Sequence, residues 1–175
     1  MISPDLTLRK ATKQDLELLR YWDNQPHKKE ADPFSDWQWE TELGTEVTWR
    51  EQLIAEISGR PIGFIELLHC AEDPEHYWGD VPDSWMAIDI WIGEASDIGR
   101  GYGSQMLSQA LERCFTSTLI RTVVLDPIST NIRARRFYER HGFRFVEERW
   151  FDLDLCAVYR LDKADWIKGS NGRFS

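Results

Sequence analysis

Ile98-Gly99-Arg100-Gly101-Tyr102-Gly103-Ser104 lies between an alternating apolar run, Ala87 to Ile92, and a helix-period run through Met106, Leu107, Ala110, Leu111, Cys114 and Phe115. Glycines at 99, 101 and 103 let the backbone approach a ligand closely and adopt dihedrals barred to other residues. A helix starting near Gly103 leaves its first N–H groups without partners and turns the positive end of its macrodipole outward. Such an end suits a phosphate or pyrophosphate, and Arg100 adds a cation there. The stretch is not a Walker loop, because the Lys-Ser/Thr pair is missing, and it does not spell G-x-G-x-x-G. Read alone, it is equally a tight strand-to-helix turn.

Working outward, Leu6 to Ala11 alternates like a first strand, and Thr12-x-x-Asp15 reads as a capping box opening a helix. That helix carries Leu16, Leu19 and Tyr21-Trp22 inward and ends near Asn24-Gln25-Pro26. His27 to Leu43 is read as loop plus one short helix, its charges, Lys28 and Asp32 among them, mostly a solvated surface. Gln52–Ile57 and Pro61–Leu67 read as strands joined by a Ser58-Gly59-Arg60 turn. An acidic loop from Cys70 to Trp85 holds Glu72, Asp73, Glu75, Asp80 and Asp83 with Tyr77 and Trp78, and is too long for a simple connector. After the glycine turn come a helix to about Ser117, a strand over Thr122–Asp126, a helix from Asn131 through Arg140 stopped by Gly142, and an antiparallel pair, 144–151 with 156–161. The expectation is one domain over residues 1–167 with a frayed tail over 168–175.

Composition narrows the function. A net charge of -9 argues against nucleic acid, which calls for basic clusters, and suits a cationic small molecule. No apolar run reaches membrane-spanning length, and Met1 to Lys10 lacks the apolar centre of a signal peptide, so a cytoplasmic location is expected. Cys70, Cys114 and Cys156 are far apart and show no metal-ligand spacing, so no metal is expected. Of the tryptophans, Trp91 is read as core packing, while Trp37, Trp39, Trp49 and Trp78 are open to either packing or a binding wall.

Asp89 carries the sharpest chemical argument. On a strand, Ala87, Asp89 and Trp91 share one face, and a carboxylate placed there must be paired, wetted or used. Used, it is a base or an anchor for an amine, because confinement raises its proton affinity. Ala134 and Tyr138, four apart, share a helix face directed at the sheet. A phenol there can donate a proton to a leaving thiolate, since its pKa of about 10 lies above that of a thiol. Cys114 falls in the helix stripe and marks core, not a nucleophile.

The turn resembles the pyrophosphate loop of the GNAT superfamily of N-acetyltransferases, pattern Q/R-x-x-G-x-G/A. Gly101 and Gly103 match it, and Ile98 stands where Gln or Arg is usual. Asn131, Tyr138 and Gly142-Phe143 match the second half of that pattern. The resemblance implies the GNAT fold, a mixed α/β (α+β) arrangement on a single, mostly antiparallel sheet in the order β-α-α-β-β-β-α-β-α-β-β. It also implies acetyl-CoA as acyl donor, with Ile90, Trp91, Ile92, Ile98, Gly99, Arg100, Gly101, Tyr102, Gly103, Ser104, Asn131 and Arg133 on the coenzyme and Tyr138 as general acid. Tyr77-Trp78, Ile88-Asp89, Leu125-Asp126-Pro127, Asn131-x-Arg133-Ala134 and Ala157-Val158-Tyr159 are similar to motifs of the aminoglycoside 6'-N-acetyltransferases. By that similarity Asp89 is the catalytic carboxylate, Asp126 and Asp154 line the acceptor site with Glu75 of the acidic loop, and Trp78 stacks on a sugar ring. Ile128 departs from the Ser of that pattern.

Three functions follow. The first is direct acetyl transfer from acetyl-CoA to a primary amine of a cationic amino-sugar, by a monomer or homodimer acting on a small molecule away from nucleic acid and membrane. The second keeps acyl transfer but takes a siderophore hydroxylysine or a protein or peptide amine as acceptor. The third is a non-catalytic acyl-CoA-binding module, against which Asp89 and Tyr138 argue, because binding alone needs neither.

Overall fold

In the computed structural model, which describes residues 5–172, the alternating runs become seven strands of one sheet in the order β1-β2-β3-β4-β5-β7-β6. The strands are β1 (Leu6–Lys10), β2 (Arg50–Ile57), β3 (Arg60–His69), β4 (Trp85–Ile92), β5 (Thr122–Leu125), β6 (Arg144–Phe151) and β7 (Asp154–Asp162). The helices are α1 (Leu16–Asp23), α2 (Pro26–Ala31), α3 (Trp39–Glu42), α4 (Tyr102–Thr116), α5 (Ile132–Arg140) and α6 (Lys163–Gly172). β1 runs antiparallel to β2, and β7 antiparallel to both β5 and β6. β4 and β5 are parallel, but their register covers only Trp85↔Thr122 to Ala87↔Val124, and β4 continues to Ile92 beyond it.

Two compact units emerge, Met1–Leu67 with Asp89–Ala110 and Leu68–Ile88 with Leu111–Ser175. The divisions fall inside β3, β4 and α4 and not in linkers.

In the first unit, Thr12 and Asp15 form the expected capping box, the Thr12 N–H donating to Asp15 at 2.8 Å. The box opens a 3-10 turn that runs into α1. Leu19, Trp22, Trp39, Leu43, Ile54 and Phe64 close the core. Tyr21 faces outward, 50% exposed, because neighbours on a helix point about 100° apart and Trp22 takes the inward place. The β2–β3 hairpin turns on Ser58 and Gly59 alone, φ +51° and +77°, so Arg60 already belongs to β3. Two left-handed residues match the twist of the flanking strands. Pro26 to Leu43 holds two short helices where one was expected.

The second unit is built on β5, β6 and β7. Asn131 caps α5 by accepting from the Ala134 N–H at 3.1 Å, and Gly142, φ +91°, ends it with Phe143 N–H donating to the Tyr138 carbonyl. The frayed tail does not appear over residues 168–172, which continue α6. Trp166 packs on Phe115 at 5.1 Å and Asp165 pairs with Arg144, anchoring a helix that weak amphipathicity alone would not hold. Residues 1–4 and 173–175, the ends of the expected domain and tail, lie outside the described residues.

Candidate active site

Asp89 sits on β4, half-buried, on the same face as Trp91. Burial lifts its carboxyl to about 6, the Asp32 charge adds to the rise, and Lys28 opposes it. A carboxylate so poised titrates close to neutrality, which suits proton transfer from an amine. The Trp91 ring stacks on Phe64 at 4.6 Å and meets Trp37 at 4.9 Å. Its side chain is thus committed to the aromatic core, leaving only its backbone for the coenzyme role expected of Ile90, Trp91 and Ile92. The Ile92 carbonyl accepts from His27 Nε2 at 2.9 Å, which places the proton of that ring on Nε2.

The sequence reads Lys28 and Asp32 as solvated surface; the structure buries Lys28 and sets Asp32, half-buried, against it. Lys28 is 4% exposed, ion-paired with Asp32, and its Nζ lies 4.4 Å above the Trp91 ring. Asp32 also accepts from Trp37 Nε1 at 3.0 Å and from Ser35. Burial pushes the Asp32 carboxyl up, but Lys28 with the Ser35 and Trp37 hydrogen bonds holds it below the usual carboxylate range. The one sequence signal was the i, i+4 spacing of Lys28 and Asp32.

The glycine turn is also in this unit. Gly99 and Gly101 have φ of +81° and +82°, and a Cβ at either would enter open space. α4 begins at Tyr102, and Gln105 N–H donates to the Gly101 carbonyl at 3.2 Å, so the amides before it lie at the positive end of the helix. Bare backbone at a helix N-terminus fits the phosphates of an acyl-CoA. Ile98 is half-buried, and Arg100 is exposed with its Nε donating to the Ser96 carbonyl at 2.8 Å. The turn is held from outside by a residue that sequence reasoning missed. Arg60 grips Asp97 with two bonds of 2.8 and 2.9 Å, and Asp97 is 3% exposed.

The second unit carries the remaining expected residues. Tyr138 is buried, its ring edge-on to Phe137 and Phe143. Arg133 is exposed on α5, and the Asn131 cap engages its Oδ1. Asp126 accepts from Tyr77 Oη at 2.6 Å. An isolated bridge, Ile128↔Cys156, ties the segment after Asp126 to the strand that Asp154 begins. Buried Asp73 accepts from the Glu75 and Tyr77 N–H groups, fixing the acidic loop while the Glu75 side chain stays exposed. Trp78 is 4% exposed and edge-on to Phe151, whereas Tyr77 is 44% exposed and stacked on that ring. Tyr77, not Trp78, is the aromatic that faces solvent. Cys70 is buried and its thiol is pushed up to about 12 by burial and by Asp73, so it stays protonated and inert near neutral pH.

The chain belongs to the GNAT acetyltransferases: the profile of the Acetyltransferase (GNAT) domain matches residues 11–151. It is accordingly an acyltransferase that draws on acetyl-CoA. Among its relatives, Lysine N-acyltransferase MbtK of Mycolicibacterium paratuberculosis is 28% identical over 167 residues, 92% of this chain and 75% of that one. Aminoglycoside N(6')-acetyltransferase type 1 of Klebsiella pneumoniae is 28% identical over 152 residues, 79% of this chain and 73% of that one. The solved structure of aminoglycoside acetyltransferase AAC(6')-Ib with coenzyme A and kanamycin shares the fold at a TM-score of 0.85 and 23% identity, over 95% of this chain and 99% of that one. No helix among the described residues is long and apolar enough to cross a membrane.

Proposed function

We propose that the protein transfers an acetyl group directly from acetyl-CoA to a primary amine of a cationic amino-sugar. The observation that carries this reading is Asp89, a strand carboxylate that burial holds near neutral titration in the same unit as the glycine turn. Acetyl-CoA supplies an activated thioester when bound. Gly99, Gly101 and the amides opening α4 would hold its phosphates, with Arg100 beside them; the family resemblance assigns Asn131 and Arg133, at the start of α5, to the coenzyme as well. The N–H groups of β4 past Ala87, where pairing with β5 has ended, would bind the pantetheine arm and polarise the carbonyl. Asp89 takes the proton that the acceptor ammonium must lose, directly or through water. By the same resemblance Tyr138 is the general acid, which would give a proton to the departing sulfur. Asp126, Asp154 and Glu75 attract a polycation, and Tyr77, which orients Asp126, offers its exposed ring to a sugar face.

The test is thiol release from acetyl-CoA against a panel of amines. An aminoglycoside preferred at least tenfold in kcat/KM over lysine-type and peptide amines supports the proposal, and no turnover with any aminoglycoside overturns it. A specific observation favours a second reading, a lysine or hydroxylysine side chain as acceptor. The lysine acyltransferase relative matches 92% of this chain, against 79% for the aminoglycoside enzyme. Nε-Hydroxylysine and longer acyl-CoA donors belong in the panel for that reason.

Arg60 gives a separate prediction. Arg60→Ala frees Asp97 and loosens the turn that receives the phosphates, so KM for acetyl-CoA is expected to rise roughly tenfold, about 1.4 kcal/mol. kcat should change little. An acetyl thioester of N-acetylcysteamine, which lacks the nucleotide, should show no such penalty, and an equal loss with both donors would refute the assignment.

A further inference from the structure

The aromatic segment before β2 encloses a charge that the acetyl-transfer reading does not use. Lys28 Nζ lies 4.4 Å from the centre of the Trp91 ring and 5.6 Å from that of Trp37, is ion-paired with Asp32, and is 3.9 Å from Asp23 Oδ1. Lysine is almost never this buried unless paired. Two carboxylates and two indole faces form a built cage for one ammonium. Such pairs contribute little net stability, because desolvating both ions offsets their attraction, and apolar residues of similar volume serve as well. Packing alone therefore does not account for the pair, and the position of the cage names another role. Trp91 follows Asp89 by two residues on the same strand face, a step of about 6.6 Å along β4. The cage is thus stacked on the immediate neighbour of the candidate base.

We propose that Lys28 and Asp32 are positioning residues, an internal ion pair whose two charges set the pH at which Asp89 becomes a working base. The proposal rests on the reading of Asp89 as the base. Charged and titratable groups on the elements around this cage are Glu17, Arg20, Tyr21 and Asp23 on α1, His27, Lys28, Lys29 and Glu30 on α2, and Asp32 and Asp36 in the segment after it. Of these, Asp32 and Lys28 act on Asp89, with opposite signs. His27 is engaged with the Ile92 carbonyl, and Asp23 accepts from Trp39 Nε1.

Opposite signs give a readout that a purely structural pair would not produce. Asp32→Asn removes a nearby negative charge, so Asp89 ionises more readily and the acid limb of kcat/KM moves down by about one pH unit. Lys28→Met exposes Asp89 to an unbalanced Asp32, so the limb moves up by a similar amount. Lys28→Met with Asp32→Asn returns it close to the wild-type position. If Lys28→Met does not fold, Lys28→Gln carries that arm: it also removes the charge, and the limb should move up as for Lys28→Met. Loss of rate in every variant with the limb unmoved, or shifts of one sign for Asp32→Asn and Lys28→Met alike, overturns the proposal. Failure of the underlying reading looks different. There the acid limb persists in Asp89→Asn, showing that another group governs it.

Discussion

Asp89→Asn is expected to lower kcat/KM by roughly two to four orders of magnitude, the usual scale for removing a general base. The isosteric amide keeps the shape of the strand face and removes only the ability to take a proton. The wild-type rate should rise with pH through about 6, where the carboxyl ionises, and that limb should vanish in the variant. Stability should move the other way. The folded-state carboxyl titrates at about 6 against an ordinary value of 3.8, so the unfolded chain ionises first. The resulting cost to folding is absent below about pH 4, grows between there and about 6, and is constant above. A neutral Asn escapes it, so the variant should melt no lower than wild type at pH 8. Thiol-release kinetics and thermal melts at pH 5 and pH 8 check both statements. Turnover retained by a folded Asp89→Asn protein would defeat the mechanism.

Gly93→Ala is expected to destabilise the first unit severely for a single methyl group. Gly93 follows β4 and donates its N–H to the Ile62 carbonyl at 2.9 Å. A Cβ there would lie 2.0 Å from Trp22 Cε2 and 2.2 Å from its Nε1. Trp22 is 1% exposed, walled by Leu19, Trp39, Leu43 and Phe64, so it has no room to give. Overpacking of this kind costs about 3 kcal/mol, which lowers Tm by roughly 10 °C in a chain of this size. Gly169→Ala is the control. It lies in α6 with nothing within 4 Å of an added Cβ, and should be neutral or slightly stabilising. Trimming the ring with Trp22→Leu should recover part of the Gly93→Ala loss, because the two positions collide and do not act independently. Additive effects in that double variant would show that the clash is not the cause.

How much was legible in advance depended on how local the deciding interaction was. The capping box at Thr12, the hairpin glycine at 59, the Asn131 cap and the Gly142 stop are each settled within a few residues, and each appears where the spacing placed it. α6 was missed because its anchor, Trp166 on Phe115, joins residues far apart in the chain. Burial was the harder quantity. The sequence offered Trp78 for stacking, yet Phe151 and Tyr77 close over it. Arg60 gave no sign that it grips the glycine turn, because its partner Asp97 lies beyond an intervening strand.

By itself, then, the order of residues determined the strand and helix succession, the glycine turn before a helix, and an acid placed in the last half of β4. Those follow from dihedral preference, hydrophobic period and capping, all of which act over short spans. Tertiary structure alone decided which charges are withdrawn from water and what that does to them. The proton affinity of Asp89 depends on burial and on Lys28 and Asp32, brought to it from α2 and the residue after it by the aromatic core. Coulomb interaction and desolvation act through space, and the chain acquires those distances only by folding.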